Sequence, residues 1–159
     1  MVDAKGKAEG KKVQESVSTE LVLDIHNGLT IDDRDLTQPN KGGHGFYRVV
    51  VWIDEEDVQG TKAVKSFGGV HQFKERLVID LDSSAYKFIY IVLLRGICPK
   101  DPGTSNGTVV MGRAKIRLPP WNSCNKFGSK VNLFGLKSDR SVVVKGYLNL
   151  SMQLHRYLA

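Results

Sequence analysis

The sequence predicts an all-β sandwich of eight antiparallel strands, and three observations carry that prediction. Eight short apolar or alternating runs follow one another, separated by clusters of Gly, Pro, Asn and Asp at the spacing such sandwiches show. Several runs alternate apolar and polar residues with a period of two, as a sheet buried on one face does. No stretch places apolar residues at the helical period strongly enough to compete, and no internal repeat is visible.

In chain order, ELVLDIHNGLTI (20–31) opens the sheet and runs into an Asp-rich connection. FYRVVVWID (46–54) ends in Asp54-Glu55-Glu56-Asp57, which reads as a solvated hairpin loop. TKAVKSF (61–67) and FKERLVIDL (73–81) flank Gly68-Gly69. YKFIYIVLL (86–94) is apolar on both parities, which suits a central strand. In TVVMGRAKIRL (108–118), Ala114, Ile116 and Leu118 share one parity while Arg113, Lys115 and Arg117 share the other, so one face is buried and the other positive. KVNLFGL (130–136) follows the LPPWNSC connection, where Pro119-Pro120 fix the approach to Trp121, either a core residue or an exposed contact point. In VVVKGYLNLSMQL (142–154), Leu148, Leu150, Met152 and Leu154 alternate against Tyr147, Asn149, Ser151 and Gln153.

A chain of 159 residues, 41% hydrophobic, fits one domain with one core. Residues 1–18 are Lys, Gly, Ala, Glu, Gln and Ser with almost no large apolar side chain, so a flexible basic tail is expected before a domain spanning 19–159. The formal net charge of +6 favours anionic partners: lipid headgroups, phosphoinositides or nucleic acid. Nucleic acid is disfavoured, because Asp3, Glu9 and Glu15 nearly cancel Lys5, Lys7, Lys11 and Lys12 in the tail. Cys98 and Cys124 lie far apart without a CxxC or a His-rich neighbourhood, which reads as free thiols in a reducing cytosol. No apolar run approaches the roughly 20 residues of a membrane span, and no secretory h-region opens the chain, so any membrane contact is expected to be peripheral. His26, His44, His71 and His155 show no HxxxH or HExxH spacing and there is no G-x-S-x-G, so no enzyme is expected.

Four segments resemble the C2 domain family, most of all its small single-domain plant members linked to stress and cold responses. FYRVVVWI resembles the strand that opens with Asp-Pro-Tyr, and GGVHQFKERLVIDL the Gly-Gly-x-Asn-Pro-x-Trp-Asn-Glu segment, with His71 for Asn, Phe73 near the Trp and Glu75 kept. VVMGRAKIRL, centred on Gly112, resembles the Ile-Gly-x-x-x-Ile-Pro-Leu strand, and KGYLNLSMQL the closing Gly-x-Leu-x-x-Ser strand. The resemblance spans about Leu21 to Leu154 and implies an eight-stranded antiparallel Greek-key sandwich in the type II permutation. It further implies that connections 31–45, 68–72 and 96–108 gather at one tip.

In calcium-binding members that tip carries several aspartates, because Ca²⁺ takes six to eight oxygen ligands. Here the match is poor. Asp32, Asp33, Asp35 and Asp101 are the weak metal candidates, while Gly45 stands for the Asp of Asp-Pro-Tyr and Leu94-Arg95-Gly96 for the Asp-x-Asp. Arg95 would repel a divalent ion, so no metal and no other cofactor is expected; calcium is disfavoured.

What remains is calcium-independent docking to anionic phospholipid through a basic face. Lys62, Lys65, Arg113, Lys115 and Arg117 are its candidates, with Phe46, Ile97 and Lys100 as loop-tip contacts. Lys74 and Arg76 would lie on the other sheet. The family's lysine-rich groove draws on positions that correspond to Val49 and Val51, so it does not carry over intact. If those valines face outward they mark a protein-contact surface instead. The alternatives left open are a protein-interaction module without lipid affinity and calcium-dependent phospholipid binding.

Overall fold

The computed structural model describes residues 17–31, 45–66, 69–96 and 108–158. Its strands are β1 (Val17–Thr30), β2 (Phe46–Trp52), β3 (Gln59–Gly60), β4 (Val64–Lys65), β5 (Val70–Leu81), β6 (Phe88–Gly96), β7 (Val109–Arg117), β8 (Phe127–Leu136) and β9 (Val142–Leu158). They run in the order β3-β2-β6-β7-β8-β9-β1-β5, with β4 also on β2, and all pairings are antiparallel. Between β7 and β8 the ladder thins to the single pair Arg113–Phe134. The path therefore bends there into two four-stranded layers, which bury their inner faces in one core, as the all-β sandwich reading requires.

Alternation decides which side chains enter that core. β1 contributes Leu21, Leu23 and Ile25, β6 contributes Ile89, Ile91 and Leu93, and β9 contributes Leu148, Leu150, Met152 and Leu154. β6 is central as expected, between β2 and β7. Gly112 sits at the bend of β7, where a Cβ would lie 2.8 Å from Leu133 Cβ on β8, so only glycine lets the two layers close this tightly.

The structure corrects the sequence reading in four places. Val49 and Val51 are fully buried on the inner face of β2, so they form no contact surface; Arg48, Val50 and Trp52 hold the outward parity. Of the run 61–67 only Val64–Lys65 (β4) is strand among the described residues, and the other short piece on β2, β3, ends at Gly60 before the run begins; buried Thr61 interrupts the ladder between them, its Oγ1 accepting from Val49 N at 3.0 Å. β5 begins at Val70 rather than residue 73, since His71 and Gln72 pair with Gly28 and Asn27 past an irregularity in β1. β1 itself starts at Val17, paired with Leu158 beyond the expected end of the last strand.

Among the described buried polar residues His71 alone is titratable. It is fully buried, its ring centroid 3.9 Å from that of Tyr47 and 6.0 Å from Phe73. Nε2 lies 3.2 Å from Thr30 Oγ1, whose hydroxyl reaches the Gly69 carbonyl at 3.5 Å, while Nδ1 has no partner among the described residues. Burial pushes the imidazole down to about 4, so it is neutral in the folded protein.

Candidate functional site

The flanks of the expected tip do converge: Thr30 N donates to Gly69 O at 2.9 Å, Ile31 N to Lys145 O at 2.8 Å, and Phe46 pairs with Gly96. Asp32, Asp33, Asp35, Asp101, Ile97 and Lys100 lie outside the described residues. Phe46 is half-buried at the first position of β2. Gly45, where the resemblance would place a carboxylate, packs against Arg95, the middle residue of the segment that stands for Asp-x-Asp; a Cβ on Gly45 would stand 2.8 Å from Arg95 Cγ and Cδ. Among the described residues no group of three His, Cys, Asp or Glu side chains is placed to hold a metal.

The outer face of β2, β6 and β7 is the more developed surface, and strand pairing lays it out in rows. Trp52, Tyr90 and Lys115 form one row, Val50, Val92, Arg113 and Phe134 the next, and Arg48, Leu94 and Val110 the third. Arg113, Lys115 and Arg117 are all exposed, as their parity predicts, and stand about 7 Å apart along β7. Lys115 Nζ lies 4.2 Å from the Phe88 ring centroid and 5.9 Å from that of Tyr90, and the Arg117 guanidinium lies 5.3 Å from Phe88. Lys115 and Arg117 thus rest on aromatic faces, which holds their heads over the strand instead of letting them stray into water.

Beside that row runs an open apolar trough of about 820 Å³. Val50, Trp52, Tyr90, Val92, Leu94 and Phe134 line it, with Arg113 and Lys115 on the β7 side. Trp52 and Tyr90 stack at 5.7 Å between centroids and 17° between planes. The trough was not expected from the sequence, although its signal was present in the double apolar parity of YKFIYIVLL.

Lys62 and Lys65 belong to the same layer but to its opposite edge, beyond β2 and β6. Lys62 N donates to Glu75 Oε1 at 2.8 Å, and Lys65 stands opposite Phe46. The structure thus brings three of the five expected cations together and sets two apart. Arg48, missed in the sequence reading, faces outward between the groups and donates from Nε to Thr61 O at 2.8 Å.

Elsewhere several charged and aromatic side chains are held by local contacts. On the other layer Arg76 forks onto Asp24 at 2.7 and 3.1 Å, which holds the Asp24 carboxyl below its ordinary value. Asp54 caps its own turn, accepting from Glu56 N at 3.0 Å, as a solvated hairpin loop would. Trp121 is 36% exposed with the Arg156 guanidinium 5.3 Å from its ring, so it is a partly covered surface residue.

No protein-family model matches this sequence, and no curated protein matches it significantly. Solved structures do. A C2 domain-containing protein ascribed to an elicitor-responsive gene superposes with a TM-score of 0.59 at 15% identity, covering 93% of both chains. A C2 domain of plant Extended Synaptotagmin 1 gives 0.57 at 10% identity, over 88% of this chain and 96% of that one. Human GIVD cytosolic phospholipase A2 gives 0.55 at 10% identity, over 87% of this chain and 17% of that one. Together with the strand order and the two-layer core, these likenesses establish that the chain has the C2-domain fold.

Proposed function

We propose that this protein is a non-enzymatic C2-fold binding module that docks on anionic membrane surfaces without calcium. The observation that carries the reading is the row Arg113, Lys115 and Arg117, three outward cations on one strand, of which Lys115 rests on Phe88 and Tyr90 and Arg117 on Phe88. Each cation near an anionic leaflet contributes about 1 kcal/mol. Three give weak, reversible attraction, to which Lys65 on the same layer and contacts from Phe46, Ile97 and Lys100 would add. Calcium independence is supported by the replacement of expected carboxylates by Gly45, Leu94 and Gly96, and by the aliphatic stem of Arg95 packed on Gly45 beside them.

No helix among the described residues is long and apolar enough to cross a membrane, which agrees with a cytoplasmic protein held peripherally. The setting we propose is plant stress or defence signalling, supported by the likeness to the elicitor-responsive and plant synaptotagmin domains.

The test is co-sedimentation with phosphatidylserine vesicles at rising salt, with and without chelator. Binding should rise with anionic fraction, weaken as ionic strength grows and ignore the chelator. The R113E/K115E/R117E variant should lose most of it. Binding that disappears on chelation overturns the calcium-independent reading. Absence of sedimentation with every vesicle, alongside recovery of a defined protein partner, favours the interaction-module reading, which would now rest on Val50 and Trp52 rather than Val49 and Val51.

A further inference from the structure

We infer that the trough on the outer face of β2, β6 and β7 is a binding site for a single-chain amphiphilic anion, such as a long-chain carboxylate taken up as a monomer. The inference goes beyond membrane docking and does not depend on it.

It starts from β6. A strand apolar on both parities belongs in a sheet covered on both faces. The inner face of β6 is covered by the core, whereas among the described residues its outer side chains, Tyr90, Val92 and Leu94, line an open trough. Its volume of about 820 Å³ falls within the range of small-molecule sites, which are mostly apolar with a few convergent polar groups.

The polar groups here are arranged with a direction. Lys115 and Arg113 flank the rows of Tyr90 and Val92, but in the Leu94 row their place on β7 is taken by Val110. Among the described residues the lining therefore offers cations at one end and apolar side chains at the other; Arg48, on β2 in the Leu94 row, is not part of the lining and gives its Nε to Thr61 O. From Tyr90 to Leu94 the floor extends about 13 Å, a length suited to one extended alkyl chain. An anionic head would sit at Lys115 and Arg113, and its tail would pass over Val92 towards Leu94, Val110 and Phe134. A planar leaflet is a poorer occupant, because the apolar floor is concave and lies beside projecting cations.

Trp52 reports on the site directly. In the Trp121→Phe background, its emission should respond saturably to octanoate, decanoate, dodecanoate and tetradecanoate, each kept below its micellar concentration. A fully buried methylene strengthens binding by about fourfold, and a half-buried one by about twofold. Affinity should rise by that factor per methylene and then level off once the chain outgrows the floor. Dodecanol, without the charge, should bind about tenfold more weakly, and so should dodecanoate to R113A/K115A. Leu94→Glu should abolish the response while leaving the thermal melt unchanged.

The inference is overturned by an absent or non-saturating response, by affinity that climbs with chain length without levelling, or by indifference to Leu94→Glu. Binding of an acidic amphipathic helical peptide but not of dodecanoate would also overturn it, assigning the face to a protein. Vesicle sedimentation run in parallel separates the two claims. Sedimentation without dodecanoate binding removes this inference alone, and dodecanoate binding without sedimentation removes the membrane reading alone.

Discussion

Acidification should destabilise this protein well before its carboxylates titrate, and the cause is His71. The residue is fully buried against Tyr47 and Phe73, and one ring nitrogen has no partner among the described residues, so a proton there would be an uncompensated charge in the core. Its value falls from 6.5 in the unfolded chain to about 4 in the folded one. Between those values the unfolded chain binds the proton and the folded chain does not, so stability rises with pH across the window and is lost as pH falls through it. The whole depression corresponds to about 3 kcal/mol, of which about 2 kcal/mol is lost by pH 5. For a domain of this size that lowers the melting temperature by roughly 4–8 °C. Asp24, held low by Arg76, and Asp139, held low by the Ser141 hydroxyl and amide, act in a different window: their contribution is present above 3.8 and disappears only below it. Thermal melts at half-unit steps from pH 7.5 to 4.5 isolate the histidine. The native protein should show the decline, and His71→Phe should be flat over that range whatever its absolute stability. A native profile flat from pH 7 to 5, or an equal slope in the variant, would refute the assignment.

Two further outcomes follow from the packing. Gly112→Val places a branched side chain against Leu133 Cβ at the bend between layers, so it should cost roughly 1–3 kcal/mol by urea titration; an unchanged midpoint would show that β7 and β8 can separate. Val49→Asp should prevent soluble expression, because it buries an unpaired charge, whereas Val50→Asp one residue on should fold normally and leave the far-UV spectrum unchanged. Equal tolerance at the two positions would mean that the parity of β2 is wrong.

That pair of valines also shows what the sequence can and cannot reveal. Where a run mixes polar and apolar residues, parity is legible: Arg113, Lys115 and Arg117 emerge on one face and Ala114 and Leu118 on the other, as expected. The Leu148, Leu150, Met152 and Leu154 series behaves in the same way. In FYRVVVWI three consecutive valines carry no such mark, and their orientation is fixed by register against β6, a long-range pairing that composition does not encode. The 61–67 run misleads for a related reason: its residues favour a strand, but one buried hydroxyl, Thr61, satisfies the backbone in place of a ladder bond.

The same limit explains why the basic face was legible residue by residue but not as a surface. Charge alone groups Lys62 and Lys65 with Arg113, Lys115 and Arg117, yet two strands of mostly apolar outward side chains lie between them. A polybasic groove concentrates cations at its centre, whereas here the centre is greasy and the cations form one wall. That arrangement discriminates between ligands as an evenly basic face does not, because an anion without a tail gains only the wall and a tail without an anion gains only the floor. Selectivity for molecules that carry both is what the juxtaposition of Lys115 with Tyr90 and of Arg113 with Val92 implies.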